Sequence, residues 1–191
     1  MAMWMTINDT IINASNSIRA YSYLVKKVVF PVDVIPLISI IASSFVSMFL
    51  FIIAIVVSSM MGYIPNFFIL VYSILAAYCF IIAFTRFSSA IVTVLPDFSQ
   101  LLNIMMQLFF WFTPIVWNLQ MVDGNFIISR VLRCVPFTYL VSSIRQAFIE
   151  ENIITRGHGF YTIVFWVITL ILYVWGNHIF KKTKKDFADV L

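Results

Sequence analysis

Residues 34–85 read VIPLISIIASSFVSMFLFIIAIVVSSMMGYIPNFFILVYSILAAYCFIIAFT, and this run between Asp33 and Arg86 holds no Asp, Glu, Lys or Arg. A helix crossing a bilayer needs about 20 apolar residues, so the run has room for two spans and a turn. Its middle, Met61-Gly62-Tyr63-Ile64-Pro65-Asn66, supplies the Gly, Pro and Asn of a tight connection. The bias extends to the whole chain: of 191 residues, 62% are hydrophobic and 10% charged, and the mean hydropathy is +1.01. Soluble domains carry about 25% charged residues. The chain therefore reads as an all-α, polytopic membrane protein, a single domain over residues 1–191 with the lipid bilayer as its solvent.

Four segments are long and apolar enough to predict complete spans, over residues 35–60, 67–84, 101–117 and 161–180. Pro114 lies inside the third, removes a backbone donor, and predicts a kink or an end there. Orientation follows from the basic residues. Lys181, Lys182, Lys184 and Lys185 crowd the end of the last span and place the C-terminal tail, 181–191, in the cytoplasm. Four spans then put the N-terminus inside as well, with Arg19, Lys26, Lys27 and Arg86. Eight basic residues are then inside and four outside (Arg130, Arg133, Arg145 and Arg156), which follows the positive-inside rule. The net charge of +4 is thereby accounted for without a nucleic-acid partner.

Three regions do not span. Residues 1–33 read as a cytoplasmic amphipathic segment, with Ile18, Tyr21, Leu24, Val25 and Val28 on one helical face and Arg19, Ser22 and Lys26 on another, ended by Pro31. A short inner loop, residues 85–100, holds Arg86, Pro96 and Asp97. The outer region, 118–159, contains two half-apolar stretches, 126–132 and 137–149, separated by Pro136. Both are too short and too charged to span, and predict interfacial or re-entrant helices. Residues 1–13 lack the basic start and small-residue cleavage site of a signal peptide.

Several chemistries find no residues to carry them. None of the five glycines forms GxxxxGK[ST], so no phosphate-cradling loop is present. His158 and His178 flank the last span, about 30 Å apart along a helix, and cannot share a metal within one chain. No GxSxG or HExxH occurs. Glu150 and Glu151 are neighbours on the chain, whereas a glycosidase needs carboxylates facing each other across a sugar. Cys79 and Cys134 form no CxxC and read as free thiols. No catalytic residue, metal ligand or cofactor is expected.

Against this background, the order of several motifs resembles one family. Asn16-Ser17-Ile18, then Leu24-Val25-Lys26-Lys27-Val28 and Phe30-Pro31, then Ile35-Pro36, resemble the first cytoplasmic loop of type-2 ABC exporter permeases. Those of teichoic acid, O-antigen and capsular polysaccharide are the nearest kind. Phe110-Trp111-Phe112-Thr113-Pro114-Ile115-Val116-Trp117 resembles the Pro-containing end of their penultimate span. Pro136-Phe137-Thr138-Tyr139 with Arg145 resembles their outer-loop motif, and Asp186-Phe187-Ala188-Asp189-Val190-Leu191 is similar to their C-terminal tail. The chain departs from the pattern at Val135, where an Asn often precedes the Pro-Phe pair, and at Pro96, where a basic residue usually precedes the Asp. Relatives have six spans. Here the first and much of the second are missing, so the resemblance implies truncation at the N-terminus.

What the resemblance implies is a permease and not an enzyme: a homodimer in the bacterial cytoplasmic membrane that exports a lipid-linked glycan and is driven by a separate ABC ATPase subunit. Arg19, Lys26 and Lys27 then belong to a coupling helix; as an interfacial helix the same cations would sit among lipid headgroups. Arg86 and Asp97 brace the docking site or are plain loop charges. Phe109, Phe110, Trp111, Phe112, Trp117 and Tyr139 line a stacking path for sugar rings, or are the aromatics usual at lipid and membrane interfaces. Pro31, Pro114, Pro136 and Arg145 mark the structural motifs. Two other classes stay open: a membrane-embedded enzyme or assembly factor of envelope synthesis, and an exporter of drugs or lipids with the same fold. An enzyme of that kind should carry ionisable residues inside its spans, and the run from Asp33 to Arg86 has none between its ends.

Overall fold

Lipid offers no partner for a free backbone N–H or C=O, so a chain this poor in charge must satisfy its backbone internally. The computed structural model describes residues 1–23, 31–63, 65–117, 119–122, 126–148, 158–184 and 187, and every regular element among them is helical. In chain order these are α1 (Ala2–Ala20), a 3-10 turn (Val32–Val34), α2 (Ile35–Met60), α3 (Phe67–Val94), α4 (Asp97–Phe112), a second 3-10 turn (Leu119–Val122), α5 (Phe126–Cys134), α6 (Pro136–Phe148) and α7 (His158–Thr183). The protein is an all-α, polytopic membrane protein.

Among the described residues, three stretches are long and apolar enough to cross a membrane: Val32–Met60, Phe67–Val94 and Gly159–Thr183. Where a third span was expected over 101–117, the structure has α4, which starts earlier and stops at Phe112. Its 16 residues reach about 24 Å, short of a hydrocarbon core of about 30 Å. The stop has a local cause. Proline disfavours helical backbone in the residue before it, and Thr113, preceding Pro114, is extended at φ −78°, ψ 135°.

The expected inner loop over 85–100 is corrected more sharply. Helix α3 continues past Phe84 to Val94, so Arg86 lies on a helix and the connection to α4 shrinks to Leu95 and Pro96. Residues 85–94 contain no Gly or Pro. The hydroxyls of Ser88 and Thr93 donate to the carbonyls of Phe84 (3.0 Å) and Ser89 (2.7 Å), so polar side chains that look like loop residues are satisfied by their own helix.

Helix α1 departs from the expected surface segment. It packs against both α2 and α3, and Met3, Trp4, Ile7, Ile11, Ala14 and Ile18, spaced as one helical face, are buried. Pro31 is extended at φ −69°, ψ 97° and leads into the Val32–Val34 turn. Lys26 and Lys27 lie outside the described residues, as do Glu150, Glu151, Arg156 and most of the tail from Lys185 onward.

Between α2 and α3, Gly62 takes φ 85°, a conformation that residues with a Cβ rarely adopt. The Asn66 side chain then caps α3 by accepting from the N–H groups of Phe68 and Ile69 (3.2 and 3.4 Å). The Asn66 backbone N–H donates to the Ala147 carbonyl (2.7 Å), which ties this turn to the end of α6.

Helix α3 is the hub, with α1, α6 and α7 packed around it. Its buried face is rich in small residues, among them Ser73, Ala76, Ala77, Ala83 and Ala90, and these let helix backbones approach in a membrane where no hydrophobic force drives them together. Phe137, one residue into α6, fills the centre. Its ring centroid lies 4.9 Å from Phe109, 5.2 Å from Phe80, 5.6 Å from Trp4 and 6.3 Å from Phe84. Pro136 opens α6 at its first position, where the N–H has no partner within the helix to lose, so the Pro-Phe pair starts the helix and delivers this ring together. The outward faces are apolar too. Ile41, Phe45, Phe49, Ile53 and Val57 of α2 are exposed, as befits contact with lipid.

Candidate functional site

Among the described residues, two collections of polar groups tie the helices to one another. The first lies at the end of the bundle where α1 finishes and α2 begins. Asp33, in the turn before α2, forms an ion pair with Lys184 just past α7, and its other oxygen stands 3.7 Å from Nη1 of Arg86 on α3. The Arg86 guanidinium lies 5.3 Å from the centroid of the Phe180 ring, and Phe180 meets Phe187 edge-on at 5.6 Å. Ile18, Val32, Ile35 and Ala90 pack around the same two rings. One carboxylate thus joins the entry of α2 to the last third of α3 and the end of α7.

Exposed ion pairs contribute only about 0–1 kcal/mol each. Here Arg86 is 15% exposed, so loss of Asp33 would leave a mostly buried cation with only an aromatic face to meet. Nearby, Ser15 on α1 shares a 2.6 Å hydrogen bond with Ser88 on α3, and Ser99 on α4 donates to Oδ1 of Asn16 at 2.7 Å. These bonds fix the last turns of α1 against the two helices that Arg86 and Asp97 occupy.

The residues expected to brace an ATPase are therefore divided. Arg19 is exposed on the last turn of α1. Arg86 is turned toward Asp33 and Phe180, and does not pair with Asp97. Asp97 is exposed in the first turn of α4, where a negative charge complements the helix dipole, and it forms no ion pair among the described residues.

The second polar place is built on α6. Nη2 of Arg145 donates to the carbonyls of Pro114 (2.9 Å) and Ile115 (3.2 Å), groups freed when α4 ends. Arg145→Met should leave both without this donor and cost about 1–3 kcal/mol. The measurement is thermal unfolding in detergent, with Arg145→Lys falling between the two. The Tyr139 hydroxyl shares hydrogen bonds with Tyr72 (3.0 Å) and Thr162 (3.2 Å), and Trp166 donates to the Tyr72 hydroxyl at 3.0 Å. The Tyr139 ring stacks on Phe165 at 4.6 Å. This network links α3, α6 and α7.

The six aromatic residues read as a sugar path do not share one face. Phe109 packs on Phe137 and Phe110 on Trp4 (5.9 Å), and Tyr139 is buried, so these three serve the interior. Trp111 and Phe112 are exposed at 67% and 61%. Trp117 folds back to donate to the Trp111 carbonyl at 3.1 Å.

Asp33 entered the sequence reading only as the end of the uncharged run and Lys184 only as a topology anchor, and Ser15, Ser88 and Ser99 were not singled out. Asp33 and Lys184 are 151 residues apart, and no local spacing announces such a pair. Asn16 entered only as part of a motif, although the step from Asn16 to Ser17 in an apolar helix was a usable sign of an interhelical contact. Among the described residues no cluster of His, Cys, Asp or Glu is placed to hold a metal.

A family model described as ABC-2 type transporter matches residues 1–149. No curated protein matches the chain. The matched stretch includes α1 to α6 together with Asp33, Arg86 and Arg145, and exceeds half of the 191 residues, so the chain belongs to the ABC-2 type transporter family.

Proposed function

We propose that this chain is the membrane-spanning subunit of an exporter that moves lipid-linked polysaccharide or teichoic acid across the bacterial cytoplasmic membrane. It works as a homodimer with a separate ATPase subunit. The family match over residues 1–149 carries the coarser part: the chain is the transport component of an ABC transporter, a family whose members are served by an ATPase. Three observations support the finer reading. The chain has no phosphate-binding loop of its own. Its motifs at residues 110–117 and 136–139, with Arg145, resemble those of glycan exporters. A handful of helices from one copy does not enclose a glycan-sized channel, and two-fold dimers are the commonest remedy.

The ATPase docks, in this reading, on the sequence segment that holds Arg19, Lys26 and Lys27, while Asp33, Arg86 and Lys184 tie together the end of the bundle where α1 finishes. The test is reconstitution of the chain with its cognate ATPase in lipid vesicles. The chain alone should hydrolyse no ATP, and the complex should hydrolyse it and move glycan. In the Lys26→Glu, Lys27→Glu variant, like charges meet at the docking contact, a juxtaposition that costs several kcal/mol. ATPase should be lost from the purified complex while membrane insertion persists. Retained partner binding and export in that variant would defeat the docking assignment.

The same reading places the end of α7 in the cytoplasm and residues 118–159 outside. Because α1 runs back along α2, Met1 lies against Arg145 at the outer end, and the cytoplasmic N-terminus expected from the charge count is not kept. With Cys79 and Cys134 replaced by alanine, a cysteine at Met121 should react with an impermeant reagent on intact cells, and one at Lys182 should react only after lysis. The reverse pattern would overturn the orientation.

A further inference from the structure

Helices α1 and α2 enclose a groove of about 240 Å³ lined by Thr6, Asp9, Thr10 and Asn13 on one side and Ser43 and Ser47 on the other, with Met5, Ile12, Val46 and Leu50 completing the walls. Nothing in the transport reading above uses it. Ser43 and Ser47 lie about 12 and 18 Å along α2 from Ile35 at 1.5 Å per residue, close to half of a hydrocarbon core about 30 Å thick. Asp9 is therefore an acid at mid-membrane depth, alongside a helix that crosses the bilayer. An acid facing hydrocarbon at that depth costs about 2.5–3.5 kcal/mol on insertion scales, and such residues as a rule meet a partner or a hydrated cavity. Asp9 forms no ion pair among the described residues; its one side-chain contact is the Asn8 amide, which donates to Oδ1 at 3.0 Å.

The rest of the lining sets the chemistry of a ligand. Thr6 spends its hydroxyl proton on the Ala2 carbonyl (3.0 Å) and Ser47 spends its own on the Ser43 carbonyl (3.0 Å), so each presents lone pairs to the groove. Thr10 is fully buried, and its Oγ1 has no hydrogen-bond partner. The groove thus offers acceptors and one negative charge, and no cation among its lining residues. It also has no aromatic side chain, so the cage of rings that binds quaternary ammonium groups is missing.

We propose that this α1–α2 groove binds a primary ammonium group, held by the Asp9 carboxylate and by the hydroxyl oxygens of Thr6, Thr10 and Ser47. Such a group carries one positive charge and three N–H donors, which matches a carboxylate beside several acceptors. A quaternary ammonium has the charge without the donors and should be discriminated against. The ammonium is supplied either by a soluble or cargo-borne amine or by the headgroup of an aminophospholipid, and the proposal does not depend on the identity of the exported cargo.

The test uses the full chain in nanodiscs, with ethanolamine and choline as probes titrated by calorimetry. Ethanolamine should bind, and choline should bind at least about tenfold more weakly, since hydrogen bonds to charged groups are worth roughly 1.5–3 kcal/mol. Asp9→Asn, nearly the same size at an exposed position, should reduce ethanolamine affinity by about tenfold or more, and Thr10→Val and Ser47→Ala should each reduce it by a smaller factor. In a second arm, discs of phosphatidylethanolamine and of phosphatidylcholine are compared by native mass spectrometry of retained lipid. Retention of phosphatidylethanolamine that falls in Asp9→Asn identifies the lipid as the source, and ethanolamine binding without such retention identifies a soluble or cargo-borne amine. Equal binding of choline and ethanolamine, an unchanged Asp9→Asn variant, or neither ethanolamine binding nor lipid retention would overturn the proposal.

Discussion

Gly176→Leu should be among the most damaging single substitutions in this protein. A Cβ at position 176 would stand 2.8 Å from the Phe87 backbone nitrogen, 3.2 Å from Cβ of Arg86 and 3.3 Å from the Ala83 carbonyl oxygen. Two of these are backbone atoms of α3, which cannot rotate aside, so the helices themselves must separate. Overpacking a fitted interface costs about 1–3 kcal/mol for small additions, and leucine adds three further carbons beyond the first clash. A fall in unfolding midpoint on the order of 10 °C is expected for a chain of this size. Gly176→Ala should give a smaller fall. Gly159→Ala provides the opposite sign: nothing lies within 4 Å of a Cβ there, and replacing a helical glycine by alanine gains up to about 1 kcal/mol. Thermal unfolding in detergent distinguishes the three. The damage should also reach the polar cluster, since α7 carries Phe180 and leads to Lys184, both of which meet the α3–Asp33 group only if α7 lies close. A Gly176→Leu protein with an unchanged midpoint would mean that the α3–α7 crossing is looser than 2.8 Å implies.

How much of this was legible beforehand depends on what each feature rests on. The fold class rests on composition and on the uncharged run from residue 34 to 85, and both are local properties of the sequence. Helix boundaries failed where a local rule met a tertiary one. Ser88, Ser89 and Thr93 look like loop residues beside Arg86, yet a serine or threonine in a membrane helix can bond its own preceding turn, and α3 runs on. Pro114 was read correctly as a break, because proline acts on its own backbone neighbour. Residues 1–33 read as amphipathic on a face from Ile18 to Val28, most of which lies outside the described residues, whereas the buried face of α1 runs from Met3 to Ile18. In the structure that face meets α2 and α3 and not a headgroup layer. The site was the least legible part. Arg86 was singled out for its charge alone; its partners, Asp33 and Lys184, come from segments far away in the chain. Aromatic richness at 109–112 suggested one continuous path, but a helix turns its successive residues by about 100°, so four in a row go round the whole helix and are divided between the interior (Phe109, Phe110) and the lipid side (Trp111, Phe112).

Asp33→Asn should impair the protein more than the double variant Asp33→Asn, Arg86→Gln. The single change removes the carboxylate that two cations share and leaves Arg86, 15% exposed, with the Phe180 face as its remaining neighbour in the cluster. Breaking the pair from the side of the half-exposed Asp33 strands the mostly buried Arg86 charge, an effect that solvent at Asp33 reduces, whereas removing both partners does not. A double-mutant cycle on the unfolding midpoint should therefore return an interaction energy in the range of about 0.5–3 kcal/mol, typical of contacting groups. Under the export reading the functional effect goes further. Asp33 stands in the turn that leads into α2, and its two ion pairs are the link by which a push on the entry of α2 reaches α3 and α7. The single variant should keep its ATPase partner but lose most export per ATP hydrolysed. In the double variant the bundle regains stability while export stays low, because the link is still absent. Such a split between stability and coupling is what a load-transmitting contact requires, since a contact that served stability alone would restore both together. Equal export in wild type and Asp33→Asn would remove Asp33 from the coupling path and leave it a local surface ion pair.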